Sequence, residues 1–363
     1  MTRGARNGRR RGAGAKPSHR DPRLAFGAID LGTNNCRLLI ARPKAGGGFH
    51  VIEAFSRIVR LGEGLGASGR LSEAAMSRTV AALSICARKL RRRGVTQVRA
   101  VATEACRRAE NCALFVARVA QETGIDLEVI SNREEVGLAA DGCVPLLDPN
   151  VPDALIFDIG GGSTEISWLK VARPALGAGP GPLVQVADWC SFPFGVVSFT
   201  ERFGCQDVVP ETFEAMVSEV ASAAGYFEDQ VGLGELVGRQ QVQLLGTSGT
   251  VTTLTGVHLK LPRYDRARVD GYHMDLDTMQ RISRSIVAMS YDERKDHGCI
   301  GPERADLVIA GCAILEGLCR VWPAARLRVA DRGLREGILL LLMQQAAARP
   351  ASQRRRRRAR SLS

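Results

Sequence analysis

No run of apolar residues in this 363-residue chain approaches the ~20 that a membrane span needs; Ile338 to Met343 is among the longest. Histidine is scarce, with 5 in the chain and no H-x-x-x-H, and the 10 cysteines contain no C-x-x-C. Neither a zinc site nor a disulfide framework has a spacing to build on, so the cysteines read as reduced, mostly buried thiols. A Gly-Lys pair is absent, which removes the standard P-loop. No apolar h-region follows the arginines near the start, so the chain is expected to be soluble and cytoplasmic.

What is present is a strong but uneven charge. The net value is +12, yet Met1 to Arg23 alone carries +7 and Arg349 to Ser363 another +7, so the body from Leu24 to Ala348 sums to −2. Such basic tails bury too little apolar surface to offset ordering entropy and are expected to be disordered, free to contact polyanions. At 45% hydrophobic and 24% charged the whole chain has the composition of an ordinary globular protein, and the length suggests about two domains at about 150 residues each.

Along the body, apolar runs and turn residues alternate. Strands are expected over 25–31, 36–42, 50–61, 98–103 and 127–131, with helices from Ser72 to Arg93, Cys106 to Thr123 and Glu134 to Gly142. After the Pro-rich stretch 144–152 the theme restarts. Strands are expected over 154–159 and 166–171, then a Gly/Pro-rich loop over 173–182, another strand, and further strands over 242–245 and 327–330. Helices are expected over 210–230, 249–260, 276–290 and 302–321, the last with Pro302 in its first turn. The boundaries that follow are tail 1–23, first domain 24–150, second domain 151–330, a C-terminal helix over 331–348 packing back on the first domain, and tail 349–363.

The restart is chemically informative. Asp30-Leu-Gly-Thr-Asn and Asp158-Ile-Gly-Gly-Gly-Ser are both strand–Asp–Gly-turn–strand units. A tight Gly turn exposes successive backbone N–H groups, a nest for phosphate oxygens. An Asp at each strand end can hold a hydrated magnesium ion. A third nest, Gly246-Thr-Ser-Gly-Thr250, opens a helix whose positive end favours anions.

Five stretches carry a family likeness: Ala28 to Leu39 (AIDLGTNNCRLL), Arg60 to Leu65 (RLGEGL), Ala102 to Asn111 (ATEACRRAEN), Phe157 to Glu165 (FDIGGGSTE), and Glu303 to Asp306 (ERAD) together with Gly333 to Gly337 (GLREG). The combination resembles the exopolyphosphatases and guanosine pentaphosphate phosphohydrolases of the actin-like ATPase superfamily, in their short two-domain form. The resemblance implies an α/β fold with two actin-like (ribonuclease H-like) domains flanking a cleft, and hydrolysis of a terminal phosphoanhydride. It implies Mg²⁺ or another divalent cation surrounded by Asp30, Asp158 and Glu165. Thr33, Asn34, Gly160, Gly161, Gly162, Ser163, Thr247, Ser248 and Gly249 would cradle phosphates, with Arg107 facing the anionic chain and Glu135 as catalytic base. The partner would be polyphosphate or guanosine pentaphosphate; the oligomeric state, a homodimer included, stays open. The chain departs from the family at Thr33 and Asn35, where serines are usual, and at Val136-Gly137, where Ala-Arg is common. It also lacks the His-Asp pair of longer relatives.

Several other readings compete. Asn132 with Glu135 three residues later is also a capping-box pattern, in which Glu135 would serve only the helix end. Gly64-x-Gly66-x-x-Gly69 matches the dinucleotide fingerprint, but no acid lies between Glu73 and Glu104 to bind a ribose. Cys-x5-Arg recurs at Cys36, Cys86 and Cys112 on a strand and two helices rather than on a phosphate loop. An actin-like small-molecule kinase and a phosphate-chain-binding regulator also remain, since a fold does not fix a function.

Overall fold

The structure, a computed structural model, describes residues 24–45, 47–173, 182–204 and 206–348. The two tails and the Gly/Pro-rich loop expected over 173–182 therefore lie wholly or almost wholly outside the described residues. Five strands form the first sheet: β1 (Phe26–Leu31), β2 (Asn35–Pro43), β3 (Phe49–Ile58), β4 (Gln97–Ala102) and β5 (Leu127–Val129). Their order is β3-β2-β1-β4-β5, with β1 to β3 an antiparallel meander and β4 and β5 parallel to β1. The second sheet holds β6 (Asp153–Ile159), β7 (Thr164–Ala172), β8 (Leu183–Phe192), β9 (Val242–Thr247), β10 (His273–Asp275) and β11 (Arg326–Ala330), ordered β10-β11-β9-β6-β7-β8. Apart from the added edge strand β10, this repeats the first: a meander β6-β7-β8, then β9 and β11 in parallel.

Two such α/β domains side by side are the actin-like arrangement. The repeat follows from the sequence punctuation. Each Asp-Gly turn is too short for a crossover, so the strand after it must return antiparallel, and the later strands arrive through helices and so lie parallel.

The helices that matter for the site are α1 (Glu73–Arg92), α2 (Glu104–Arg108), α3 (Cys112–Thr123), α4 (Asn132–Cys143), α5 (Pro210–Val231), α6 (Gly249–His258), α7 (Val308–Val321) and α8 (Leu334–Ala348). Ser72 caps α1 by accepting from the Ala75 N–H. One face of the first sheet buries Ile29, Leu38 and Ile40 with Leu83 and Cys86 of α1 and Phe115 of α3. The other buries Phe26, Ala28 and Leu39 against Ile338, Leu339 and Met343 of α8. The second sheet packs on α7, whose residues are buried from Val308 to Cys319.

Two helices differ from the sequence expectation. The segment expected as one helix from Cys106 to Thr123 is broken at Ala109–Asn111, because the buried Asn111 side chain accepts from the Leu71 N–H and donates to the Leu71 carbonyl. The helix expected from Pro302 begins only at Val308. Gly301 sits at φ +73, and the chain from there to Leu307 closes successive tight turns, Arg304 N–H to Gly301 and Leu307 N–H to Arg304.

Candidate active site

The two Asp-Gly turns face each other. In the first, the Gly32 N–H donates to the Asn35 carbonyl at 2.9 Å; in the second, the Gly160 N–H donates to the Ser163 carbonyl at 2.9 Å. They meet so closely that a Cβ on Gly161 would lie 3.1 Å from Thr33 and 3.2 Å from Asn34, and one on Gly162 only 2.6 Å from the Thr33 hydroxyl. The glycines are therefore required by close approach between the domains. The third turn leads from β9 into α6, and its Ser248 has φ +87, a conformation costly for a side-chain-bearing residue. The Ser248 Oγ and the Asn34 Oδ1 are both buried without a hydrogen-bond partner among the described residues. Thr247 is already engaged, donating its hydroxyl to the Arg332 carbonyl.

These turns line a cleft of about 380 Å³ together with Asp30, Thr33, Asn34, Glu135, Asp158, Gly160, Gly161, Gly162, Ser163, Glu165, Thr247, Ser248 and Gly249. Strand register explains the carboxylates. Asp30 and Asp158 are the penultimate residues of the equivalent strands β1 and β6, and the residue seven positions on lies directly opposite each, Arg37 in β2 and Glu165 in β7. The duplicated position thus holds a cation in one domain and a second carboxylate in the other. Like charges directly opposed across a ladder are unfavourable. Burial and then Asp30 push Asp158 up to about 6. Burial and then Asp158 push Glu165 up to about 7, against hydrogen bonds from Ser163 and Ser191 and the charge of Arg107. Asp30 is also raised by burial, opposed by Arg37 and Arg335.

Glu135 is raised well above the usual carboxylate range by burial and by Glu165, and is opposed by Arg107. It is not part of a capping box. Ser131 is the cap of α4 and accepts from the Glu134 N–H at 3.2 Å, while Asn132 donates instead to the Ser191 hydroxyl at 2.8 Å. That hydroxyl in turn donates to Glu165 Oε1 at 2.8 Å, so α4 of the first domain is tied to a carboxylate of the second.

Arg107 does not line the cleft. Its guanidinium is bound to two carboxylates that do, donating to Glu135 Oε2 at 2.7 Å and Glu104 Oε2 at 3.0 Å, and to the Ile130 carbonyl at 3.0 Å. The cations that do line the cleft are Arg37, Arg304, Arg332 and Arg335. Arg335, in the first turn of α8, feels Asp30, Glu336 and Arg37 at close range, and its own ionisation is depressed by burial. Sequence reasoning passed over Arg37 and Arg335, although both lie inside the family-like stretches.

Among the described residues no three His, Cys, Asp or Glu side chains converge closely enough to ligate one ion together. The donor set is nonetheless all oxygen, and its carboxylates are buried with too little positive charge around them. That chemistry fits Mg²⁺, which keeps several waters and takes one or two carboxylates plus substrate phosphate.

A profile of the Ppx/GppA phosphatase family matches residues 39–346. Exopolyphosphatase 2 of Mycobacterium tuberculosis is 31% identical over 327 residues, covering 86% of this chain and 97% of its own. The crystal structure of the Aquifex aeolicus member of the Ppx/GppA family superposes with a TM-score of 0.69 at 27% identity, over 89% of this chain and 98% of its own. An exopolyphosphatase from Cytophaga hutchinsonii superposes with a TM-score of 0.74 at 25% identity and the same coverage. With the profile spanning most of the chain, the duplicated sheets and the cleft between them are those of a member of the Ppx/GppA phosphatase family, to which this chain belongs.

Proposed function

We propose that the cleft hydrolyses the terminal phosphoanhydride bond of inorganic polyphosphate, with water as nucleophile and Glu135 as the base. The observation that carries this reading is the state of Glu135: a carboxylate facing the cleft, released from any capping duty, gripped on Oε2 by Arg107 and without a hydrogen bond on Oε1 among the described residues. Its raised proton affinity makes it a better base than an exposed carboxylate. The water oxygen attacks the terminal phosphorus and the bridging P–O bond breaks. The water's proton passes to Glu135 Oε1, and the electron pair of the broken bond stays on the shortened chain. The backbone N–H groups of Thr33 and Asn34, of Gly161 to Ser163 and of Ser248 and Gly249, with the cations of Arg37 and Arg335, would stabilise charge on the phosphoryl oxygens. Asp30 and Asp158 would hold a hydrated divalent cation and Glu165 would add a third carboxylate to its surroundings; the cation would neutralise phosphate charge.

One lining residue favours a second substrate: the exposed ring of Tyr264 is of no use to a bare phosphate chain and could be used by the nucleoside of guanosine pentaphosphate. Phosphate release from polyphosphate and from guanosine pentaphosphate at matched magnesium separates the two, and hundredfold preference for the nucleotide would overturn the polyphosphate choice. Glu135→Gln should keep substrate binding and lose roughly 10²–10⁴-fold in turnover. Full turnover by that variant would remove Glu135 from the mechanism.

A further inference from the structure

Outside the cleft, the strongest concentration of charge in the described residues surrounds one glutamate. Glu53 of β3 receives three cations from the end of α1: Lys89 Nζ on Oε1 at 2.5 Å, Arg92 Nη2 on Oε1 at 2.8 Å, and Arg93 Nε on Oε2. The side chain of Glu53 is only 9% exposed, whereas those of Arg92 and Arg93 are 65% and 44% exposed. Two residues along β3, the Phe55 ring has Lys89 Nζ 5.8 Å and the Arg57 guanidinium 5.7 Å from its centre. Hydrogen bonds from Lys89 and Arg93 hold Glu53 down at about 2. The carboxylate is thus a fixed hub that arranges several exposed cations while neutralising only one.

The surplus is large relative to the rest of the protein. Residues 42–57 and 88–93 contain eight Lys/Arg and a single acid, a surplus of seven. The body from Leu24 to Ala348 sums to −2, so everything else in it sums to −9. Within the body, positive charge is thus concentrated here, and an anion is drawn to it.

Position adds a second line of support. β3 is the edge strand of its sheet, with no strand beyond it among the described residues. Its Ser56 lines the cleft, and its next residue, the exposed Arg57, belongs to the cluster on the opposite face. A flexible anionic chain leaving the cleft over this open edge passes directly onto the cations. Phe55, the aromatic ring at the centre of the cluster, is half-buried and already has two cations at its ring, which disfavours its use as a stacking platform for a single-stranded nucleic acid.

We propose that this cluster is a second anion site, outside the cleft, that binds the trailing part of a linear polyphosphate whose end occupies the cleft. The identity of the ligand rests on the phosphoanhydride reading of the cleft; the site itself does not.

The test is binding of long-chain polyphosphate in EDTA, where no turnover is needed, to the full chain and to the triple variant Arg57→Gln/Arg92→Gln/Arg93→Gln, which leaves the Lys89–Glu53 pair in place. The variant should bind long chains about tenfold more weakly at low salt and show a shallower dependence of affinity on salt. Turnover and KM with tripolyphosphate, too short to leave the cleft, should be unchanged. The charge-preserving Arg57→Lys/Arg92→Lys/Arg93→Lys protein should bind like the parent, which separates lost charge from lost structure. Unchanged long-chain affinity, or an equal loss with tripolyphosphate, would overturn the proposal. So would single-stranded DNA binding as tightly as polyphosphate and being lost in the same variant. If the parent binds long chains, loses them in the variant and yet never releases phosphate, the second site stands and the reading of the cleft fails.

Discussion

Replacing Asp158 by Asn should make the metal-free protein more stable at neutral pH while disabling it. Asp158 ionises at about 6 in the folded chain against 3.8 when unperturbed. The folded state therefore holds its proton where the unfolded chain has already lost it. With more protons bound in the native state, stability must fall as pH rises between those two values, and the full cost is present above about pH 6. The gap corresponds to about 3 kcal/mol. Glu165, at about 7 against 4.5, carries a cost of the same order, but the two are not additive because the charge of Asp158 is one of the causes that raise Glu165. The Asp158→Asn change would remove the first cost and part of the second. At roughly 2–4 °C per kcal/mol, the variant in EDTA at about pH 8 should melt on the order of 5–10 °C above the parent. Near pH 4 the two should converge. Magnesium at about a hundredfold its dissociation constant should stabilise the parent by about 2.7 kcal/mol at the higher pH and the variant far less. Melting curves across pH, with and without magnesium, measure all of this. An Asp158→Asn protein that melts below the parent at high pH in EDTA, or a difference between the two that does not vary with pH, would refute the reasoning.

The crossing of α4 and α8 should be equally sensitive. A Cβ on Gly337 would fall 1.8 Å from the Leu138 carbonyl oxygen, backbone that cannot rotate away, so Gly337→Ala should cost at least the roughly 1–3 kcal/mol typical of overpacking. Because α4 carries Glu135, turnover should fall along with the melting temperature. Deleting residues 1–23 and 349–363, which carry +14, should leave turnover at saturating substrate unchanged and weaken apparent affinity for long polyphosphate at low salt only. Equal affinity of the truncated and full-length proteins at low salt would assign the tails another role.

Most strands were legible because turn residues bracket them, and the two Asp-Gly turns announced the duplication that the sheets display. Helix limits were less so, for reasons that are not local. Nothing near Ala109 signals a break; it depends on the Asn111 side chain bonding to the backbone of Leu71, 40 positions earlier. Pro302 is a good first-turn residue, but the left-handed Gly301 before it starts a series of tight turns, and the α-helix waits until Val308. The cations were hidden in a different way. Arg37 sits in an alternating strand where a charged residue usually means a solvated face, and only register shows it opposite Asp30. Aligning the two halves on their aspartates would have found it, since the same seven-residue step leads from Asp158 to Glu165.

Glu135 shows where a sequence runs out. Ser131-Asn132 and Glu134-Glu135 are two cap-capable residues followed by two glutamates, each pair at the spacing of a capping box, so the sequence allows two registers one residue apart. On a helix that single step turns a side chain by about 100°. In one register Glu135 would face its own helix end; in the other it faces the cleft. The choice is made by contacts remote in sequence: Arg99 takes the Glu134 carboxylate at 2.6 Å, Ser191 takes the Asn132 amide, and Arg107 takes Glu135. Each of these partners lies on a different element, and together they leave only the Ser131 cap free to form. The turn of Glu135 toward the cleft is thus fixed by three long-range contacts.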